Sequence, residues 1–557
     1  MTSRNAIVLV LIAAGVVASG GSARAAAGLP APSLEDAVRG LVESGRDHAM
    51  RWPDLADVRA TLENFYTARS WAPAWLEGAR PTLSAQVTIR QLLAASDRGI
   101  APDDLDAAHL ANVAREMLHA ERTPETRELA EFEVALSADA LRYFSALDRG
   151  RVSPQRAHAD LLIPRPSLDG VGALERLHAT DRPDTVYARA EPQFVHYQML
   201  LYALARYRAI ARDSGLVPLP KLPKNLEAGD TYRGAPQLAR LLTAIGDLSD
   251  SLRVAWSGDS AYDAALAEGV RAFQRRHGQR PDGVLGRATF DRLNRPFEQR
   301  LRTIELGLER WRWLPREYDA PPIFVNVPSF RLYALKGHDD LESEMLRMNV
   351  AVGQAYGHKT PLFAEAMQYL VFSPYWDVPP SIATKEIRPK ALRDASYLAR
   401  QNYELVSGSS VVASSHDNIA AIGRSVRVRQ RPGPKNALGR VKFILPNHHN
   451  VYLHDTPSGG FDEPRRDFSH GCIRVSKPRA LAEWVLAGQP EWTPDKIAAA
   501  MSGDRPLQVN LAEPRPVYIL YSTALADEEG HALFFPDIYD LDPPLDQMLQ
   551  RGFPYPQ

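Results

Sequence analysis

One cysteine and several histidines stand close together near residue 470, and these side chains could form and break an acyl bond. Cys472 is the single cysteine of the 557-residue chain. It lies in the run Ser469-His470-Gly471-Cys472-Ile473-Arg474, which begins fifteen residues after His454. Because a thiol is mostly protonated at neutral pH, an imidazole within reach is needed to take its proton and return it to a leaving amine. The residues therefore predict a cysteine nucleophile with a histidine base.

Two histidines compete for the role of base. His454 follows the apolar residues 451–453 at a predicted strand end, whereas His470 lies two positions from the nucleophile, where the chain turns. Residues two apart share a face only on an extended chain. We therefore favour His454 as the base and expect His470, with Ser469, to organise the loop or donate a hydrogen bond to the substrate.

Four further residues are candidates for binding the substrate or its transition state. Gly471 would let the substrate approach the backbone, and the amides around it could stabilise an oxyanion. Arg474 either orients a substrate carboxylate or pairs with an acidic neighbour, and the sequence favours neither. Tyr356 and Trp376 are candidates for the substrate cleft, although packing or an exposed turn would equally explain each of them.

A zinc site is the chemical alternative, because imidazole, carboxylate and thiol groups all occur in this region. The possible ligands are His448, His449, His454, Asp455, His470 and Cys472. Neither a C-x-x-C nor an H-E-x-x-H spacing is present. We therefore predict no metal site and no cofactor.

The amino terminus has the pattern of an export signal. Arg4 precedes an apolar run over residues 6–17, and Ala23-Arg24-Ala25 offers a small-residue cleavage site, which predicts a signal peptide over residues 1–25. About twelve apolar residues are too few for a membrane span, which needs about 20. The 67 acidic and 66 basic residues nearly cancel, which disfavours binding to nucleic acid or anionic membranes. We expect a periplasmic protein without a disulfide.

The pattern of elements predicts a multidomain α+β protein. Helical periodicity covers residues 33–215, and a proline-rich linker separates them from a three-helix unit at 226–296. A β-rich catalytic domain follows at 320–512, with residues 374–434 as an inserted subdomain of helices and loops that could cap the active site. Residues 513–557 form a C-terminal extension. Strands are predicted at 322–327, 331–335, 348–353, 367–373, 439–445 and 450–453, and an exposed loop at 427–434.

Two families resemble parts of this sequence. Residues 269–278 and the turn Asp282-Gly283-Val284-Leu285-Gly286 are similar to the small helical peptidoglycan-binding domain of cell-wall enzymes. His454 with Ser469-His470-Gly471-Cys472-Ile473-Arg474 resembles the active-site signature of bacterial L,D-transpeptidases. That similarity extends through 352–353, 359–361, 375–380 and 439–443, and the whole domain order resembles the large Gram-negative type.

The resemblance implies a reaction in two halves and no cofactor. Cys472 would attack the third residue of a tetrapeptide stem, release D-alanine and keep a thioester, which an amine of diaminopimelate on a neighbouring stem would resolve to a 3→3 cross-link. Carbapenems would acylate the same cysteine. The expected partners are peptidoglycan stem peptides and glycan strands. Two alternatives stay open: an L,D-carboxypeptidase, in which water resolves the thioester, and a noncatalytic scaffold that only binds the wall.

Overall fold

The computed structural model describes residues 32–119, 123–158, 167–316, 318, 320–337, 340 and 345–555. The predicted signal peptide lies outside this part of the chain. The described residues form the multidomain α+β architecture that the sequence predicts, with a helical scaffold, a small helical domain and a β-rich domain. Among these residues, every helix is too short or too polar to cross a bilayer.

The scaffold is built around one long helix, Thr126–Arg149, which is buried on nearly all sides. Apolar residues that surround a helix mark it as the centre of a domain, since no face is left for water. The other scaffold helices pack against it or against neighbouring helices, and residues 76–77 and 80–81 form a two-residue β-ladder. These helices are Leu34–Ser44, Arg59–Ala68, Leu83–Leu93, Ala107–His119, Pro154–Ala157, Gly170–His178, Pro183–Ala190 and Val195–Ala211, with 3₁₀ turns at Ala95–Arg98 and Pro102–Leu105.

The small helical domain has four helices where the sequence predicted three. They are Ala235–Ile245, Asp250–Ala255, Ala264–Arg276 and Arg287–Leu293, with short strands at Asp230–Thr231 and Ala261–Tyr262. The added helix Asp250–Ala255 has six residues and no buried side chain, so it carries no apolar periodicity to predict it. Gly283, at a φ of +73°, lets the following turn reach Gln274, whose Oε1 accepts the Gly283 N–H at 2.8 Å. The helix Phe297–Trp311 then leads into the β-rich domain.

Nine strands form the central sheet of the β-rich domain, and we label them β1 to β9 in chain order. They are Ile323–Asn326, Arg331–Ala334, Leu346–Gly353, Phe363–Phe372, Val441–Ile444, Leu453–His454, Asp467–Ser469, Ile473–Val475 and Leu507–Leu520. The sheet order is β7-β3-β8-β6-β5-β4-β9-β1-β2, and β2 also pairs with β3. The pairings therefore close into a ring, which leaves fewer free strand edges. Helices Pro478–Val485 and Pro494–Met501 lie between β8 and β9.

The inserted subdomain contains a sheet as well as the predicted helices. Its strands are Trp376–Asp377, Tyr403–Ser407, Ser410–Val412 and Arg427–Gln430, and its helices are Pro380–Ile382, Ala383–Ile387, Arg388–Arg393, Ser396–Arg400 and His416–Ala420. The prediction of an exposed loop at 427–434 is wrong for its first four residues. Val428 is buried between arginines that point outward, and the flanking glycine and prolines obscure this alternation. The subdomain, which we call the cap, has its own apolar core, separate from that of the remaining chain.

Strand β9 crosses the predicted boundary at residue 512. It pairs with β4 in antiparallel and with β1 in parallel orientation, so residues 513–520 belong to the central sheet. The remaining C-terminal residues form the hairpin Ala524–Ala526 and Ala532–Phe534 and the helix Asp542–Gln550.

Candidate active site

Strands β6 and β8 bring the predicted base and nucleophile to one face of the sheet. They run in parallel with His454 opposite Arg474. The N–H of Ile473 donates to the carbonyl of Tyr452 (N···O 3.1 Å), so Cys472 is the neighbour of Tyr452 across the strands. Alternate side chains of a strand point to the same side. Cys472 and Arg474 therefore share a face with Tyr452 and His454.

A backbone carbonyl orients the imidazole of His454. The ring is buried, and its Nδ1 lies 2.5 Å from the carbonyl oxygen of Asp455. Since a carbonyl only accepts, Nδ1 carries the hydrogen and Nε2 is left with a lone pair. Burial, helped by the charge of Arg474 and opposed by the hydrogen bond to Asp455, lowers the pKa of His454 to about 4. The ring is therefore neutral at neutral pH, which is the form required of a base.

The carboxylate of Asp455 is occupied elsewhere. It accepts the backbone N–H of Arg440 at 2.8 Å and that of Thr456 at 2.7 Å. The carboxylate therefore fixes the loops around β5 and β6, whereas only the backbone of this residue touches His454.

The thiol of Cys472 is held in its protonated form. Its Sγ lies 3.8 Å from the carbonyl oxygen of Asn450. Burial raises the pKa of Cys472, while hydrogen bonding to Tyr452 and the charge of Arg474 oppose that rise less strongly. A neutral thiol and a neutral imidazole are thus the resting pair.

Tyr452 is a site residue that the sequence reasoning missed. Burial raises the pKa of its phenol, and the neighbouring Cys472 raises it further, so the hydroxyl keeps its proton. Lys442 of β5 stands opposite His454, with its Nζ 6.0 Å from the centre of the Tyr452 ring. Burial lowers the pKa of Lys442. The alternation of residues 452 and 454 on one strand was the available signal for Tyr452.

Ser469 shapes the turn that carries Cys472. Its Oγ donates to the carbonyl of Cys472 at 2.6 Å and accepts the N–H of Gly471 at 3.1 Å. Gly471 has a φ of +114°, a conformation that L side chains rarely adopt. Because the Gly471 N–H is engaged, it is not free for an oxyanion. The Cys472 N–H, which has no acceptor among the described residues, remains the amide donor for that role.

The loop after β3 supports this turn from behind. The hydroxyl of Thr360 donates to the carbonyl of Gly471 at 2.8 Å and accepts the N–H of Gly353 at 2.8 Å. Tyr539, which follows the C-terminal hairpin, accepts the Thr360 N–H at 3.0 Å and donates to the Gly353 carbonyl at 2.7 Å. A Cβ on Gly353 would lie 1.9 Å from the carbonyl oxygen of His358, so only glycine fits there. No motif in the sequence links Tyr539 to this loop.

Arg474 is a half-buried cation beside the nucleophile. Its guanidinium carbon lies 5.7 Å from the centre of the Phe468 ring, and its Nε has no hydrogen-bond partner among the described residues. Burial lowers its pKa, while the Cys472 thiol opposes this. The sequence left two roles open for Arg474: orienting a substrate carboxylate or pairing with an acidic neighbour. Among the described residues, Arg474 forms no ion pair with an acidic side chain.

His470 contacts the cap. Its Nε2 lies 3.1 Å from Oε1 of Glu386 on the cap helix Ala383–Ile387, and its ring centre lies 4.9 Å from that of His358. A second acid of the cap, Asp377, acts on Lys442 across the sheet face, where it raises the lysine pKa against the larger effect of burial. The cap therefore lies over the side of the sheet that carries the candidate site.

The two aromatic candidates for the substrate cleft lie on the cap and on the loop after β3. Trp376 packs against the core of the cap, and its ring centre is 6.3 Å from that of Tyr403. Tyr356 is 85% exposed, on the loop after β3, where it lies within electrostatic range of Arg465. A role for Trp376 or Tyr356 in the substrate cleft stays a prediction.

Comparison with known proteins identifies three domains. Residues 321–496 match the L,D-transpeptidase catalytic domain, residues 60–204 the scaffold domain, and residues 236–293 the "Putative peptidoglycan binding domain". The chain therefore contains an L,D-transpeptidase catalytic domain and a peptidoglycan-binding domain, as the resemblance predicted. A Haemophilus influenzae protein named "Putative L,D-transpeptidase" is 30% identical over 243 residues, which is 43% of this chain and 48% of that protein. The match thus spans about half of the relative.

Proposed function

We propose that this protein is a peptidoglycan L,D-transpeptidase that forms 3→3 cross-links through a thioester on Cys472. The observation that carries the proposal is the pairing of β6 with β8. It places His454, which a carbonyl fixes with Nε2 unprotonated, on the same sheet face as Cys472. Both residues lie in the segment that matches the L,D-transpeptidase catalytic domain.

In the first half-reaction, Nε2 of His454 takes the thiol proton while Sγ of Cys472 attacks the carbonyl of the third stem residue. Because burial raises the thiol pKa, proton transfer accompanies the attack and does not precede it. The Cys472 N–H donates to the developing oxyanion. The C–N bond to D-alanine then breaks, and the proton on His454 passes to the departing amine. A thioester and neutral D-alanine amine remain.

Two neighbours stabilise the negative charge of this step. The Tyr452 hydroxyl donates to the sulfur as it loses its proton, and the guanidinium of Arg474 lies on the same face with a free Nε. Arg474 is also the group that would orient a stem carboxylate, because it has no acidic partner among the described residues. A strained β-lactam carbonyl would meet the same nucleophile, so a carbapenem adduct on Cys472 is expected.

In the second half-reaction, the side-chain amine of diaminopimelate on another stem attacks the thioester. His454 accepts a proton from that amine, the C–S bond breaks, and the thiolate of Cys472 is reprotonated. The product is a 3→3 cross-link. If water replaces the amine, the product is a trimmed tripeptide, and the protein is an L,D-carboxypeptidase.

Incubation of the purified protein with disaccharide tetrapeptides tests the proposal, with mass spectrometry of the products. We expect D-alanine release, 3→3 dimers and a carbapenem adduct on the wild type, and none of these with Cys472→Ala. His454→Gln should lose turnover, whereas the exposed neighbour His449→Gln serves as the matched control and should keep it. Tripeptides without dimers would instead identify the carboxypeptidase. Absence of both D-alanine release and the adduct would leave only the noncatalytic scaffold.

This function requires export, because peptidoglycan lies outside the cytoplasm. We therefore propose that residues 1–25 are removed and that the mature chain works in the periplasm. Amino-terminal sequencing of protein from a periplasmic fraction checks this. A mature chain that retains residue 4 would contradict cleavage.

A further inference from the structure

A cleft of about 530 Å³ lies between the peptidoglycan-binding domain and the catalytic domain. One wall is the turn that follows the helix Ala264–Arg276, with Arg292 beside it. The opposite wall combines the β1–β2 turn with the loop that leads into β7. Residues after the C-terminal hairpin close its third side.

Positive charge dominates the walls. Arg280 and Arg292 come from the binding domain, and Arg331, Arg465 and Arg466 from the catalytic domain, while Asp462 is the acid that lines the cleft. Arg465 is already paired with Asp467, which lies in β7 (N···O 2.6 Å). Arg280, Arg292 and Arg466 make no ion pair with a carboxylate among the described residues.

Arg466 is the clearest case of a cation without a paired carboxylate. Its side chain is buried, and its guanidinium donates to the backbone carbonyls of Val350, Phe330 and Glu463. Burial lowers its pKa to about 10. A buried charge is costly unless an opposite charge compensates it. The cleft therefore favours an anionic occupant.

The other two arginines are available for that occupant. Arg280 is exposed, and its side chain makes no hydrogen bond or ion pair with any described residue. Arg292 gives one nitrogen to the carbonyl of His277 at 2.8 Å. Guanidinium groups suit carboxylates, because their planar N–H groups match two oxygens.

Two buried polar atoms at the cleft wall lack partners, and both can accept a hydrogen bond. Nδ1 of His277 lies 2.9 Å from the carbonyl of Phe273 and so carries the hydrogen, which leaves Nε2 as an unpartnered acceptor on a ring that is 2% exposed. Oε1 of Gln279 is also buried without a donor. An occupant that bears N–H or O–H groups as well as carboxylates would satisfy both kinds of site.

The cleft lies within reach of the nucleophile. Arg466 immediately precedes β7, and its carbonyl accepts the N–H of Val352 on β3 at 2.9 Å. Cys472 is six residues further along the chain, so the two are separated by no more than about 20 Å. An extended tetrapeptide spans about 14 Å, and its disaccharide adds to that length. One peptidoglycan strand is therefore long enough to reach from the cleft to Cys472.

We propose that this cleft binds a carboxylate-bearing stem peptide of peptidoglycan and so holds the strand between the binding domain and the catalytic domain. The proposal rests on the proposed function, since it names the substrate of the same site. It assigns to the binding domain a role in positioning substrate as well as in attachment to the wall.

Binding of a soluble disaccharide tetrapeptide to the full-length Cys472→Ala protein tests the cleft without turnover. By isothermal titration calorimetry, we expect Arg280→Glu to weaken binding about tenfold, the effect of one charge-assisted hydrogen bond. Arg280→Lys should lose less. The matched control is Arg253→Glu, also an exposed arginine of the binding domain, paired with Asp250 outside the cleft, and it should bind as the parent does. Amidation of the ligand carboxylates should abolish the difference in affinity between the parent and the Arg280→Glu variant.

Three results would overturn the proposal: no binding to the Cys472→Ala parent, equal affinity of parent and Arg280→Glu, or an equal loss with Arg253→Glu. D-alanine release by the wild type is measured in parallel. If binding depends on Arg280 but the wild type releases no D-alanine, the cleft stands and the proposed function fails. If the wild type releases D-alanine while Arg280→Glu leaves affinity and KM unchanged, the function stands and the cleft fails.

Discussion

Replacement of Tyr539 with phenylalanine removes one oxygen from the support of the nucleophile turn. That oxygen accepts the Thr360 N–H and donates to the Gly353 carbonyl, and the residue is 2% exposed. The stacked contact of its ring with Tyr521 (centroids 5.8 Å apart) does not depend on the hydroxyl. Tyr539→Phe should therefore keep its ring in place and lose only the two hydrogen bonds.

The size of the effect follows from those two bonds. Each contributes about 1 kcal/mol net, so the loss of both is expected to cost about 2 kcal/mol. Thr360 transmits the change, because its hydroxyl holds the carbonyl of Gly471 next to Cys472. If the turn must be restored in the transition state, about 2 kcal/mol corresponds to about a thirtyfold lower kcat. KM should change little, since Tyr539 is buried behind the turn.

Steady-state D-alanine release and thermal unfolding, measured on the same samples, separate positioning from simple destabilisation. The matched control is Tyr262→Phe in the binding domain, which also deletes a buried hydroxyl bonded to a carbonyl (Gly283, 2.7 Å). That variant should unfold at lower temperature and keep wild-type kcat. If Tyr539→Phe loses the same stability and also keeps wild-type kcat, the hydroxyl does not position the nucleophile and the reasoning is refuted.

Three further outcomes follow, two from the protonation states and one from the cap. Because burial raises the thiol pKa, the rate of alkylation of Cys472 by iodoacetamide should increase with pH through neutrality and still be rising at pH 9. A rate that reaches its plateau below pH 7 would reveal a thiolate and contradict this. In turnover, His454 must be neutral to act as the base, so kcat/KM should fall as pH drops towards about 4 and not near 6.5. Glu386→Gln removes the charge opposite His470, so amide hydrogen exchange should rise in residues 376–430 of the cap. The control is Asp394→Asn, whose carboxylate pairs within the cap and whose loss should leave the contact with His470 intact. Unchanged exchange in the Glu386→Gln variant would show that this contact does not restrain the cap.

Local patterns in the sequence were enough to predict the strands that frame the site. Apolar and β-branched runs gave β1, β2 and β5 to within two residues at each end, because each strand is buried and bounded by turn residues. The position of His454 at a strand end was predictable for the same reason. Alternation fixes which side chains share a face once two strands pair.

Contacts between distant parts of the chain were not predictable in this way. Tyr539 lies 179 residues from Thr360 along the chain. Its hydroxyl bonds to backbone groups, which every residue type provides, so the identity of the partner residues does not indicate the contact. Glu386 reaches His470 only because the cap folds on its own core and then rests over the sheet. The full length of strand β9 was not predicted, because the prolines and charged residues at 513–516 interrupt its apolar pattern. The strand nevertheless continues through a register shift at this point.

His454 is oriented by a backbone carbonyl and not by a carboxylate, and this difference affects how strong a base and how strong an acid the ring is. A carboxylate at Nδ1 would raise the pKa of the imidazole and make it a stronger acceptor of the thiol proton. The carbonyl of Asp455 fixes the ring without that charge, and burial leaves the pKa of His454 at about 4. Such a ring is a weak base, but its protonated form is a strong acid. In the proposed reaction, the protonated ring would therefore be better suited to giving its proton to the departing amine of D-alanine than to removing the thiol proton.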